Sequence, residues 1–280
     1  MKLSRGNLAI VTSVLMITLA TSSCKKDHAP VAGPAIKLTS NAKFGSILTD
    51  ESERTLYFFS IDADGNSGCT GGCITSWPVF YEESPSIGTG LDAADFATIT
   101  RTDGVKQTTY KGWPLYYFQN DAKPGDVNGD AVNKIWFVAK PDYSVMLANT
   151  QLVGFDNVKY NSHAQPGDEV TQYITDPYGK TLYSFSPDKF RKNTFTKADF
   201  SNNKVWPLDS AALVKNIPST LDKTQFAIVT VFGKTQLCYK GWPLYYFGSD
   251  LSRRGNTKGV SFPSPGIWPI INLNSLDAPQ

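Results

Sequence analysis

Lys111-Gly-Trp-Pro-Leu-Tyr-Tyr-Phe-Gln-Asn-Asp121 returns later in the chain as Lys240-Gly-Trp-Pro-Leu-Tyr-Tyr-Phe-Gly-Ser-Asp250. A shorter form of the pattern, Leu-Tyr-x-Phe-x-x-Asp, stands at Leu56 to Asp62 and at Leu182 to Asp188, so each half of the chain carries it twice. Such self-similarity decides the architecture before any single residue does. Aromatic residues two apart share one face of a strand. The Asp falls just past the strand, where a carboxylate accepts backbone N–H bonds and sets a turn. On this reading Tyr57, Phe59 and Asp62, Tyr116, Phe118 and Asp121, Tyr183, Phe185 and Asp188, and Tyr245, Phe247 and Asp250 anchor four strands and tie their exits. The alternative use of the same side chains is an aromatic-plus-acid platform for a ligand.

Working outward, Phe44–Asp50 and Thr55–Ser60 flank the polar Glu51-Ser-Glu-Arg54, which predicts a hairpin. Leu56 and Phe58 take one face of the second strand, Tyr57 and Phe59 the other. Both faces are apolar, which predicts a central strand. Asp103-Gly104 between Phe96–Thr102 and Lys106–Tyr110 predicts a second hairpin. Gly112-Trp-Pro114 reads as an interruption of the returning strand, with Pro114 at an edge or bulge. Leu115–Phe118 resumes that strand and Ile135–Val138 adds another. The same order returns from Tyr173 to Pro269. The expected fold is all-β: two homologous β-hairpin-rich repeats, residues 44–153 and 154–280, packed with pseudo-twofold symmetry as a sandwich, barrel or small propeller.

The N-terminus gives an address. Lys2 and Arg5 precede an apolar run, Leu8 to Ala20, that is too short for a stable membrane span, so residues 1–23 read as a signal peptide. The run ends in Ala20-Thr-Ser-Ser-Cys24. Small residues before a cysteine resemble a bacterial lipobox, with Thr21 where Leu is common, and Ser-Cys followed by Lys-Lys-Asp resembles the looser boxes of Bacteroidetes lipoproteins. This resemblance implies lipidation of Cys24, a tether over residues 24–43, and a membrane partner through the anchor, at the outer membrane. The 27 Lys and Arg fall by two on signal removal and match the 25 acids that remain, so the charge balance excludes nucleic acid as an expected partner.

Cys69 and Cys73, separated by Thr-Gly-Gly, are most simply a local disulfide in an exported chain. Redox-active thiols or a copper site are the sharper alternatives. Cys238 is expected as a buried free thiol. Asp62-x-Asp64-x-Asn66 and Asp126-x-Asn128-x-Asp130 have the opening spacing of calcium loops but lack the acid required at the twelfth position, and no metal or cofactor is expected. Trp-Pro recurs at Trp77, Trp113, Trp206, Trp242 and Trp268, as buried wedges between hairpins or as a Trp-lined groove.

Together, Thr55-Leu-Tyr-x-Phe-x-x-Asp62, Cys69-x-x-x-Cys73-x-x-x-Trp77-Pro78, Thr100-Arg-Thr-Asp-Gly104, Tyr110-x-Gly-x-Pro-Leu-Tyr-x-Phe-x-x-Asp121 and Trp136 resemble a family of predicted bacterial lipoproteins. That family is defined by Tyr-x-(Phe/Trp/Tyr)-x-x-Asp and is also called the secreted repeat of unknown function. The resemblance extends over both halves; the second lacks the cysteines and Arg-Thr-Asp-Gly. It implies export, a lipid anchor and tandem repeats, and supplies no activity. No catalytic residue is read from the sequence: it holds no Ser/His/Asp motif, phosphate loop or metalloprotease helix. The expected role is a non-enzymatic surface module for an unknown envelope or extracellular ligand. The alternatives are a redox or copper protein using Cys69/Cys73, and a carboxylate-based glycan hydrolase with acids such as Asp121 and Asp250.

Overall fold

The computed structural model describes residue 1 and residues 35–251 and 253–280. The expected signal peptide, Cys24 and the tether up to residue 34 lie outside the described residues.

Thirteen short strands and a single five-residue helix carry the described chain. The first half holds β1 (Ile36–Asn41), β2 (Gly45–Asp50), β3 (Tyr57–Phe59), β4 (Phe96–Thr100), β5 (Lys106–Tyr110), β6 (Trp113–Tyr116) and β7 (Trp136–Val138), with helix α1 (Gly72–Ser76) between β3 and β4. Then follow β8 (Met146–Val153), β9 (Lys159–Tyr160), β10 (Val170–Thr175), β11 (Phe226–Val231), β12 (Lys234–Tyr239) and β13 (Trp242–Pro243). The fold is all-β, two repeats in tandem, and its sheets remain open. The first half is centred on an antiparallel sheet of order β4-β5-β6-β3-β7. As its two apolar faces require, β3 is interior: Tyr57 lies opposite both Tyr116 of β6 and Val138 of β7.

The structure corrects two local expectations about where strands begin and bears out a third, a hairpin. Residues 36–41, expected within the tether, form β1, because Ile36 and Leu38 alternate onto a packed face while β1 pairs with β2 from Ile36↔Asp50 to Asn41↔Gly45. In the same way β8, placed by sequence at the end of the first repeat, pairs with β10. Each half thus begins further upstream than its motifs indicate. The hairpin expected between Phe44–Asp50 and Thr55–Ser60 is present as a short antiparallel ladder, with Thr49 bridging Thr55, Leu56 N donating to Leu48 O and Asp50 N to Arg54 O, while β1 occupies the other edge of β2.

Lys111-Gly112 is a chain reversal, not an interruption. Its successive φ values of 49° and 78° make a tight two-residue turn that sets Tyr110 opposite Trp113. Lys240 and Gly241, at 50° and 81°, repeat the turn and set Tyr239 opposite Trp242. Glycine is required at Gly112 for a second reason: a Cβ there would collide with Nη1 of Arg254. Pro114 consequently sits in an interior strand. Its missing N–H leaves no gap, because the β3–β6 ladder stops at Phe58↔Leu115 before Pro114 would have to donate.

In the second half the motif strands shrink to bridges. Tyr183 and Tyr245 exchange both backbone bonds at 2.9 Å, and Ser184 N donates to Pro269 O. Pro269 stands where β7 has Phe137 and has no N–H to return, so that pair keeps a single bond, and the pairing continues only as Ser186 N donating to Ile267 O.

One apolar cluster joins the halves, with Phe58, Trp113 and Phe137 from the first packed among Met146, Leu147, Tyr173 and Tyr183. Arg254 crosses the same seam. Its Nε donates to Ala63 O at 2.7 Å, its Nη1 to Lys111 O at 3.0 Å, and its guanidinium lies 4.5 Å from the Trp113 ring centroid.

Candidate functional site at the seam of the two halves

The motif residues meet in a reciprocal exchange. Tyr57 Oη donates to Asp121 Oδ2 at 2.6 Å, and Tyr116 Oη donates to Asp62 Oδ2 at 2.6 Å. The second half repeats this, Tyr183 to Asp250 at 2.5 Å and Tyr245 to Asp188 at 2.7 Å. Each tyrosine therefore serves the aspartate of the other copy. The second oxygen of each carboxylate accepts a backbone N–H from its own copy: Gly68 for Asp62, Asn128 for Asp121, Thr194 for Asp188 and Lys258 for Asp250. Burial raises all four carboxyls above the usual range, Asp62 to about 7. The same exchange governs the flanks, for the segment after one copy lies beside the strand of the other: Val79 bridges Tyr116 and Trp136–Val138 pairs with β3.

The remaining aromatics pile into a column of four rings. Phe59, Trp136, Trp77 and Phe118 follow one another at centroid spacings of 3.8, 3.8 and 4.3 Å. Phe185, Trp268, Trp206 and Phe247 do the same at 4.5, 3.7 and 4.5 Å. Ring pairs of this kind add about 0.5–1.5 kcal/mol each beyond the area they bury. In each half the two tyrosines meet the tryptophans edge-on, at 5.5 and 5.1 Å in the first and 5.5 and 5.2 Å in the second.

Cys69 and Cys73 form the disulfide expected of them, with Cα atoms 5.3 Å apart. Cys69 is fully buried against this aromatic cluster, and the corresponding place in the second half is filled by Phe195, 4.7 Å from Trp268. The cystine thus does the packing of an aromatic side chain. Its ring is too small for a large loop-closure contribution. Arg101 Nη2 secures it by donating to Cys69 O at 2.7 Å. Cys238 is free and buried, its thiol pushed up to about 12 by burial.

The calcium-like spacings do not converge. Asp62 faces Tyr116, Asp64 accepts from Asn66, Asp126 accepts from Ala122 and Lys123, and Asp130 accepts from Val138. Among the described residues no three His, Cys, Asp or Glu side chains gather to hold a metal ion. Trp77, Trp113, Trp206 and Trp268 are buried; Trp242 is half-buried and borders a cavity of about 510 Å³ with His163 and Asn274.

A group that the sequence reading missed lies at the seam. Asp176, Asp209 and Tyr246 line a cavity of about 600 Å³ together with Lys111 and Asp142 of the first half and Tyr178 and Lys215 of the second. Tyr246 Oη is 3.3 Å from Asp176 Oδ2 and 3.4 Å from Asp209 Oδ1. The first half has no such pair. There Tyr117 donates to Asp50 at 2.9 Å under the Arg54 guanidinium, and the place of Asp209 belongs to Phe80. The backbone confirms the equivalence, Phe80 N donating to Leu115 O and Asp209 N to Leu244 O. A carboxyl therefore stands where the repeat has a buried ring. Burial, then the charge of Asp176, pushes Asp209 up to about 7, and Asp176 is raised by burial as well. A carboxyl perturbed in this way and set in a cleft is a candidate for a functional site. The signal in the sequence was Phe80 facing Asp209 once the halves are aligned.

These carboxyls set the response to acid. Unfolded aspartates titrate near 3.9, whereas folded Asp62 and Asp209 titrate near 7. Between those values the folded chain holds more protons, so its stability falls as pH rises, with the contribution complete below about 4 and lost through about 7. The melting temperature is expected to be higher at pH 5 than at pH 8, with the difference reduced in Asp209→Asn. A melting temperature that climbs from pH 5 to pH 8 contradicts the assignment.

A family model described as a secreted repeat of unknown function matches residues 38–81 and 97–140. Each matched stretch contains one motif copy, so the family's unit is half of the reciprocal pair. Both matches lie in the first half. The second half, where the resemblance was also read, is tied to the unit by the repeated geometry rather than by the match. The description of the unit as secreted supports an extracytoplasmic location. No curated protein and no solved structure matches the chain significantly.

Proposed function

We propose that the protein is a non-enzymatic binding module of the cell envelope, anchored to the outer membrane through a lipidated Cys24, with its ligand held in the seam cleft. The observation that carries this reading is Asp209, a buried carboxyl placed beside Asp176 where the other half has Phe80. Burying a carboxyl costs free energy that a phenylalanine would not, so its presence points to a use. The four motif aspartates and their tyrosines serve each other, which supports a structural role for the motif rather than a ligand platform. Full burial of Cys69 likewise supports a structural disulfide over a redox or copper site.

The cleft sets carboxyls and amines around the half-exposed ring of Tyr178, a lining suited to a polar, uncharged ligand rich in hydroxyls such as an envelope glycan. Calorimetric titration with neutral envelope oligosaccharides should show binding that Asp209→Phe and Tyr178→Ala abolish, with the oligosaccharide recovered unchanged. Release of new reducing ends would replace this reading with the hydrolase one. Equal binding by both variants would remove the ligand from the cleft.

A further inference from the structure

The two halves show what the repeat needs for packing, and one face of the second half carries more than that. After Asp188 the chain reads Lys189-Phe-Arg-Lys-Asn-Thr-Phe-Thr-Lys197, with four cations and no acid, in place of the cystine loop. The packing requirement is met by Phe195 on the aromatic column and by Asn193, whose Nδ2 donates to Gln236 Oε1 at 2.7 Å. Lys189, Arg191, Lys192 and Lys197 serve neither purpose. All four are exposed, and among the described residues none has a carboxylate within ion-pair distance. Of the acids that flank the segment, Asp188 is turned to Thr194 N and Tyr245 Oη, and Asp199 is turned to Ser201 N and feels the charge of Lys197.

The segment runs along β12. Arg191 N donates to Gly241 O past its far end, Asn193 meets Gln236 midway, and Phe200 meets the β11–β12 tip, where its ring is 6.3 Å from Phe232 and 4.2 Å from Lys234 Nζ. The exposed cations thus lie along β12 between two exposed rings, Phe190, 38% exposed, at its Gly241 end and Phe232, 59% exposed, at its other tip. Phe232 and Phe200 hold φ values of 46° and 55°, a region that bulky residues rarely enter. The corresponding tip of the first half is Asp103-Gly104, with Asp103 bonded to Arg101. An exposed phenylalanine, at a φ it rarely adopts, thus stands at the tip where the first half has an acid.

We propose that this face docks on an anionic lipid bilayer, the cations against headgroup phosphates and the rings of Phe190 and Phe232 at the level of the headgroups. Charge complementarity argues for the partner, because unpaired cations flanking exposed rings suit a surface that is both anionic and apolar beneath. The inference rests on the anchored reading above: the chain from Cys24 to residue 35 reaches at most roughly 40 Å, so the anchor holds this body beside a membrane.

The test uses residues 33–280, which lack the anchor and fall within a compact unit of their own, Gly33–Gln280. Co-sedimentation with vesicles of phosphatidylcholine alone is compared with vesicles in which roughly a third of the lipid is phosphatidylglycerol. The expected result is at least tenfold tighter binding to the anionic vesicles, lost in molar salt, where screening is complete within a few ångströms. Arg191→Glu with Lys192→Glu should abolish it, and Lys106→Glu in the first half should not. Phe232→Asn should bind several-fold more weakly while melting no lower than the parent, since asparagine accepts this φ better. That pairing separates docking from folding. Equal binding to both vesicles, binding to neither, or retention on a soluble acidic polysaccharide without vesicle binding would overturn the proposal. None of these outcomes touches the seam ligand, which is read by calorimetry without lipid.

Discussion

Trp268→Ala is expected to lower the free energy of unfolding by about 3–5 kcal/mol, the range for deleting a large buried aromatic side chain. Trp268 is 2% exposed and touches more than the column. It stacks on Trp206 at 3.7 Å, leans on Phe185 at 4.5 Å and takes the edges of Tyr245 and Phe195 at 5.2 and 4.7 Å. Removing it leaves a cavity that no neighbour can fill, because each of those rings is held on its other side. Trp136→Ala should cost about as much in the first half, by the same mechanism. Chemical denaturation followed by circular dichroism measures both. A loss under about 1 kcal/mol for either variant would show that the column is not the core of its half.

Asp250→Ala should cost about 3–4 kcal/mol through polar rather than apolar loss. The carboxylate is 3% exposed and accepts from Tyr183 Oη and Lys258 N. Its removal strands a buried phenol and a buried amide, and an unsatisfied buried donor costs more than the bond contributed. Adding Tyr183→Phe removes one of the stranded donors. The double variant is therefore expected to be more stable than the sum of the single losses implies, with a coupling of about 1–2 kcal/mol. Strict additivity would mean that the two groups do not act as a pair. The same cycle on Asp62 and Tyr116 tests whether the first half is built alike.

Much of this was legible in the chain. The four motif copies, the interior position of β3, the Asp103-Gly104 hairpin and the Cys69–Cys73 bridge all follow from spacing and residue type, because each is a local matter of strand period, turn chemistry or ring closure. The turn at Lys111-Gly112 was misread because lysine is an unusual first residue for a tight two-residue turn, and only the following glycine marks it. β1 was hidden by the Pro and Gly just upstream, which read as tether. The crossed Tyr–Asp bonds were out of reach for a different reason. Nothing within one copy of the motif says whether its tyrosine serves its own aspartate or another, and that choice is made by strand order. Asp209 becomes visible only when the halves are aligned strand by strand, since on its own it is an ordinary surface-type residue following a Trp-Pro-Leu.

The crossed bonds have a consequence for how such chains can grow or shrink. A unit with one motif copy carries a tyrosine without its acid, an acid without its tyrosine and half of a ring column. It is not a smaller version of the fold but an incomplete one. Loss of a single unit would leave the survivor with its complementary parts unmatched: its tyrosine would keep no aspartate to serve, and its aspartate no tyrosine. Within each half of this chain the parts therefore match only when two units are present together.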